Sequence, residues 1–145
     1  MSSALPETPI GLGLMVCDTV IEDKLTGKKS LIGLFDRIHS PSFPCMHPAL
    51  SVFVALTNLQ GEMPCEILCR HADGDCVALA AKGRISVPDP SRVVELVFHF
   101  KGVRFAKPGT YWLNFLVGEM PLMVRPLFIS QARPENEQQK PPATN

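Results

Sequence analysis

With 145 residues, 46% of them hydrophobic and 19% charged, the chain is long enough to bury a core of its own as one domain. Fourteen Lys and Arg balance fourteen Asp and Glu, which excludes a protein recruited to nucleic acid or an anionic membrane by its net field. The charges are unevenly placed: residues 1–75 hold five bases and nine acids, residues 76–133 eight bases and three acids, a weak pointer to complementary surfaces.

In chain order, residues 1–9 read as a flexible lead. The run "IGLGLMVC" ends like an export signal, but "MSSALPETP" before it has no Lys or Arg and carries Glu7, the wrong flank for export. It is also too short to span a bilayer, which takes about 20 helical residues. It opens a buried strand over 11–22, and a second strand follows over 29–38. Leu25-Thr26-Gly27 is expected as a three-residue loop with Gly27 left-handed. Asp23 then faces Lys29, Ile21 faces Leu31, and Cys17 faces Phe35. That register buries Cys17, Thr19, Ile21, Leu31 and Phe35, and leaves Val20, Ile32 and Leu34 among the charges outside.

Further strands follow at the spacing of two packed sheets. "LSVFVALTN" alternates Leu50, Val52, Val54 and Leu56 on one face, and "RVVELVFHF" does so with Val94, Leu96, Phe98 and Phe100. "TYWLNFLV" points Tyr111, Leu113, Phe115 and Val117 one way and Thr110, Trp112 and Asn114 the other. Segments 64–71, 75–85, 102–106 and 121–130 complete eight or nine strands. Fourteen prolines and ten glycines punctuate these runs, and no helical period competes. The expected fold is all-β: a two-sheet antiparallel, immunoglobulin-like β-sandwich over residues 10–131. "KPGTYW" predicts a corner in which Gly109 turns the chain and a buried Tyr111 bonds nearby backbone. The polar, proline-rich residues 132–145 read as a disordered tail.

Chemistry finds little purchase. "TGKKS" lacks the earlier glycine of a phosphate loop, since Glu22 stands there, and a strand rather than a helix follows. "GLGLMV" lacks the third glycine of a dinucleotide fingerprint. No serine sits in a nucleophile elbow, and four scattered histidines set no triad order. The densest ligand cluster is "PCEILCRHADGDC". With a two-residue Asp73-Gly74 turn, His71 lies opposite Cys76 and beside Cys69, and Cys45 or His47 offers a fourth zinc ligand. That spacing matches no zinc signature, and cysteine is often simply a buried hydrophobe. Asp73, Asp75 and Asp89 suggest calcium, but the other acids of a calcium loop are missing. No metal or cofactor is therefore expected. Five cysteines, an odd count, with Cys65 and Cys69 about 13 Å apart along one strand, fit reduced thiols in the cytoplasm.

The stretches "CDTVIEDKLTGKKSLIGLFDRI" and "VRFAKPGTYWLNFLVGEMPLMVRPLFIS" together resemble a family of small uncharacterised bacterial β-sandwich proteins, a domain of unknown function, over about residues 11 to 131. The resemblance implies the fold and a bacterial cytoplasmic setting, and it supplies no catalytic residues. The expected function is a non-enzymatic interaction or structural module, a homo-oligomer or part of a larger assembly, with no nucleic-acid or membrane partner. Val20, Ile32, Leu34, Phe53 and Trp112 are the interface candidates. The alternative is a small metal- or ligand-binding protein using the hairpin at 65–76.

Overall fold

The computed structural model describes residues 8–131. The expected tail at 132–145, and all of the expected lead except Thr8 and Pro9, lie outside the described residues. Pro9 is buried, and the Thr8 carbonyl accepts a 2.9 Å hydrogen bond from Asn58 Nδ2, so the domain is anchored from Thr8 onward.

The described residues form nine strands and no helix: β1 (Ile10–Glu22), β2 (Lys29–Leu34), β3 (Arg37–Ser40), β4 (Cys45–Thr57), β5 (Glu62–His71), β6 (Val77–Ser86), β7 (Val94–Phe105), β8 (Gly109–Val117) and β9 (Met120–Gln131). They make two sheets, A in the order β2-β1-β4-β7 and B in the order β3-β9-β8-β5-β6. Sheet B is curled into a half-barrel. β1 lies against β9 on one flank and β6 against β7 on the other, so the two sheets close on a common core.

The alternation read from the sequence is the reason for that core. Leu50, Val52, Val54 and Leu56 of β4 are all buried, facing Tyr111, Leu113, Phe115 and Val117 of β8 across the space between the sheets. Val94, Leu96, Phe98 and Phe100 pack against them from β7. Each fully buried side chain of this kind contributes about 1.5–3 kcal/mol relative to exposure.

Three expectations are corrected. The predicted strand 29–38 is two strands: the chain leaves sheet A after Leu34 and enters sheet B at Arg37, where the Phe128 N–H donates to the Asp36 carbonyl (2.9 Å). β3 pairs with β9 in parallel, so the two-sheet fold is not wholly antiparallel. Conversely, the segments read separately at 92–100 and 102–106 are the single long strand β7.

The first hairpin is also one residue out of the expected register. Glu22 faces Lys29, Ile21 faces Ser30, Val20 faces Leu31, Thr19 faces Ile32 and Cys17 faces Leu34. The Asp23 carboxylate causes the slip. Its Oδ1 accepts the Leu25 and Thr26 N–H groups (2.8 and 3.0 Å), while Asp23 N donates to Lys28 O and Gly27 N to Asp23 O. The loop thus grows to Lys24-Leu25-Thr26-Gly27, with Gly27 left-handed as expected (φ +75°). With a side-chain period of two, one residue of slip exchanges the faces.

Candidate functional site

The start of β8 gathers a set of linked polar groups. Gly109 has φ +138°, and a Cβ there would overlap the His71 imidazole, so glycine lets the ring lie on the backbone. His71, the last residue of β5, is buried. Its Nδ1 accepts the Asp73 N–H (3.0 Å), which leaves the ring proton on Nε2 to be donated to the Pro108 carbonyl (3.0 Å). The ring meets Tyr111 edge-on at 5.0 Å, and Tyr111 meets Phe105 in the same way at 5.1 Å. The buried Tyr111 hydroxyl donates to the Lys107 carbonyl (2.8 Å). The Gly109–Tyr111 corner therefore forms in the way its sequence suggests, and burial pushes the phenol pKa up.

The same corner holds a cluster of charge in which Asp73 and Asp75, two of the acids weighed for calcium, meet a cation that the sequence did not single out. Lys107 Nζ donates to Asp73 Oδ2 (3.1 Å) and to Asp75 Oδ2 (3.0 Å). These bonds raise the Lys107 pKa, and the Lys107 bond lowers that of Asp75. Among the described residues, His71, Asp73 and Asp75 have ligand atoms within 4.8 Å of one another, a geometry a cation could use. The Lys107 ammonium is the cation bonded there, and both His71 nitrogens are engaged by backbone. The arrangement is a staple tying the β5–β6 turn to the β7–β8 connection.

The ligand set read from the sequence was a different one, and the structure does not bring it together. His71 does lie opposite Cys76, whose carbonyl accepts the His71 N–H (2.8 Å). The turn between them, however, spans residues 72–75, with Gly74 N bonded to His71 O and Ala72 N captured by Thr110 O. A register shift between Cys69 and Arg70 accompanies it. Cys69 points into the apolar core, where burial pushes its thiol up to about 12. Cys76 packs half-buried against that core, as does Cys45, and His47 stacks on Phe35 at 5.6 Å. Asp89 accepts from Ser91 N and Oγ in its own turn. The signal available in the sequence was two acids flanking Gly74, but their partner lies 32 residues away from Asp75.

The apolar interface candidates separate onto different surfaces. β1 pairs with β4 only as far as Cys17, so its last five residues pair with β2 alone. On β2, Lys29 reaches Glu95 of β7 (3.1 Å), two strands beyond β1. Glu95 lies between the inward Val94 and Leu96 and therefore points outward. The β1–β2 arm thus folds over the outer face of sheet A. Cys17 and Ser51, which pair with each other on that outer face, are accordingly buried, and burial raises the Cys17 thiol pKa. Phe53 lies half-buried on this face beside Met15 and Val97.

Val20 shares the Glu22 and Lys29 side of the arm, turned toward the sheet and half-buried with Leu31. Ile32 (45% exposed), Leu34 (55%) and Ile21 (51%) occupy the opposite, solvent side. Ile21 replaces Val20 in the exposed set because of the one-residue slip. Trp112 belongs to another surface altogether, the outer face of sheet B, between Arg70 and Pro126.

No helix among the described residues is long and apolar enough to cross a membrane. No curated protein matches the chain. A family model does match, covering residues 12–130, from the early part of β1 almost to the end of β9. The chain belongs to that family, described as a family of unknown function, DUF6941.

Proposed function

We propose that the domain is a non-enzymatic interaction module that self-associates through the solvent side of the β1–β2 arm. The observation that carries the reading is the cluster of Ile21, Ile32 and Leu34 on one side of that arm, each about half exposed. The row runs along β2, an edge strand of sheet A. An apolar row beside unpaired backbone donors and acceptors suits a second strand of the same kind. Two copies of β2 placed edge to edge would continue sheet A, and a closed pair of this kind has two-fold symmetry.

Other features favour the same class. The polar cluster at His71 is consumed by internal bonds, and the buried Cys69 thiol resists forming a thiolate. The tyrosine corner supports placing the fold beside immunoglobulin-like sandwiches, which commonly act as binding modules, although the curled sheet B and the parallel β3 depart from that pattern. Five free cysteines favour a reducing compartment, the cytoplasm.

Sedimentation or light scattering over a concentration series tests the proposal. Wild type is expected to rise above its 15.9 kDa monomer mass, and Ile32→Lys to restore the monomer while leaving the circular dichroism spectrum unchanged. A wild-type mass that stays at the monomer value at high concentration ends the proposal. A dimer that survives Ile32→Lys moves the interface off the arm.

A further inference from the structure

At the base of the arm, where β2 leaves β1 for the other sheet, the surface opens into a pocket of about 180 Å³ lined by Met15, Val16, Leu34, Phe35, Asp36 and Arg125. It is smaller than the 300–1,000 Å³ typical of drug-sized ligand sites, and large enough for a molecule of several heavy atoms. Its floor follows from the topology. The β1 edge ahead of Cys17 has no β2 beside it, and Arg125 of β9 reaches across to it. Arg125 Nη1 donates to the Leu14 carbonyl (2.7 Å) and contacts Met15 Sδ (3.1 Å).

That bond uses one of the five N–H donors of the guanidinium. Arg125 Nε is buried and has no acceptor, a condition rare enough in folded proteins to call for an explanation. Among the described residues no carboxylate lies within ion-pairing distance of Arg125, and none of the ion pairs involves Asp36. The Asp36 backbone carbonyl is engaged by Phe128 N. The pocket therefore presents a cation and an anion that are not ion-paired with each other, and Met15, Val16, Leu34 and Phe35 make up the apolar part of its lining.

We propose that this pocket binds a small apolar α-amino acid. The ligand carboxylate meets the planar fork of Arg125, whose geometry it matches. The ammonium group meets Asp36, and the side chain lies on the apolar wall. Asp36 is what selects against phosphate and other multiply charged anions, which a lone arginine would accept. The carboxylate meets the guanidinium N–H groups that the Leu14 bond leaves free, while Nε, being buried, stays out of its reach.

Calorimetric titration of the full chain with L-leucine tests this, alongside leucinamide, which lacks the carboxylate, 4-methylpentanoate, which lacks the amine, and inorganic phosphate. The expected result is saturable binding of leucine at millimolar concentration or below. Leucinamide and 4-methylpentanoate should each bind at least about tenfold more weakly, the worth of one lost charge-assisted bond. Asp36→Asn, an exposed position that leaves the fold intact, should abolish the preference for leucine over 4-methylpentanoate. Arg125→Lys should weaken leucine while retaining charge. Absence of saturable binding by leucine overturns the proposal, and so does phosphate binding as tightly as leucine. Retention of the amine preference in Asp36→Asn overturns it as well. Leu34 lines both this pocket and the solvent side of the arm, so the leucine titration is repeated on Ile32→Lys, where binding without self-association separates the two readings.

Discussion

Replacing Gly109 by alanine tests the corner most directly. Two costs follow from the structure. The backbone at this residue has φ +138°, a region that residues with a Cβ enter at about 1–3 kcal/mol. The new methyl would also overlap the His71 imidazole. That ring is held on both sides, by the bond to the Pro108 carbonyl and the bond from Asp73 N (both 3.0 Å), and it rests edge-on against the buried Tyr111. Moving it gives up two hydrogen bonds of about 1 kcal/mol each. The expected destabilisation is about 3–5 kcal/mol, a large part of the 5–15 kcal/mol that holds a domain together. At a urea slope of about 2 kcal/mol/M, the denaturation midpoint should fall by about 2 M. The comparison that isolates the cause is Gly109→Ala in a His71→Ala background, where the clash is gone and only the backbone cost remains. A loss below about 1 kcal/mol in the single variant, or an equal loss in both backgrounds, refutes the reasoning.

Tyr111→Phe removes the 2.8 Å bond to the Lys107 carbonyl without opening a cavity, so a loss of about 0.5–1.5 kcal/mol is expected; an unchanged denaturation midpoint would show that the hydroxyl contributes nothing. Phe105→Ala, in the core and fully buried against Tyr111, should cost about 3–5 kcal/mol, and a cost of the size of a surface change would mean that β7 does not pack there as described. The acid limb of stability carries a third expectation. Bonds from the Thr26 backbone, from Lys107 and from the Ser91 backbone, respectively, hold Asp23, Asp75 and Asp89 below their usual pKa of 3.8. Their contribution is therefore intact above that value and is lost as pH falls through the lower folded values. Asp23→Asn keeps an oxygen to accept the Leu25 and Thr26 N–H groups but cannot titrate, so its stability below pH 3.8 should fall less steeply than that of wild type. Superimposable acid limbs would remove Asp23 from the account.

Strand periodicity alone was enough to read the all-β class and most of the core. In β4, β7 and β8 one face of each strand carries the large apolar residues in strict alternation, a pattern only a half-buried strand can use. The corner was equally legible, because Pro108, Gly109 and Tyr111 are contiguous and the bond from Tyr111 to Lys107 spans four residues. The first hairpin shows where that reasoning stopped. Both faces of β1 and β2 carry apolar residues, so alternation did not choose between two registers one residue apart. The choice fell to two backbone bonds accepted by the Asp23 carboxylate. Everything that depends on distant partners was decided by the tertiary structure. Lys107 meets Asp73 and Asp75, Lys29 reaches Glu95, and Arg125 reaches Leu14, pairs 34, 32, 66 and 111 residues apart. Such contacts exist only because two sheets close on each other and an arm folds back over one of them. Local periodicity carries no information about which strands become neighbours, and so the polar cluster, the covered face and the pocket at Arg125 could be seen only in the folded chain.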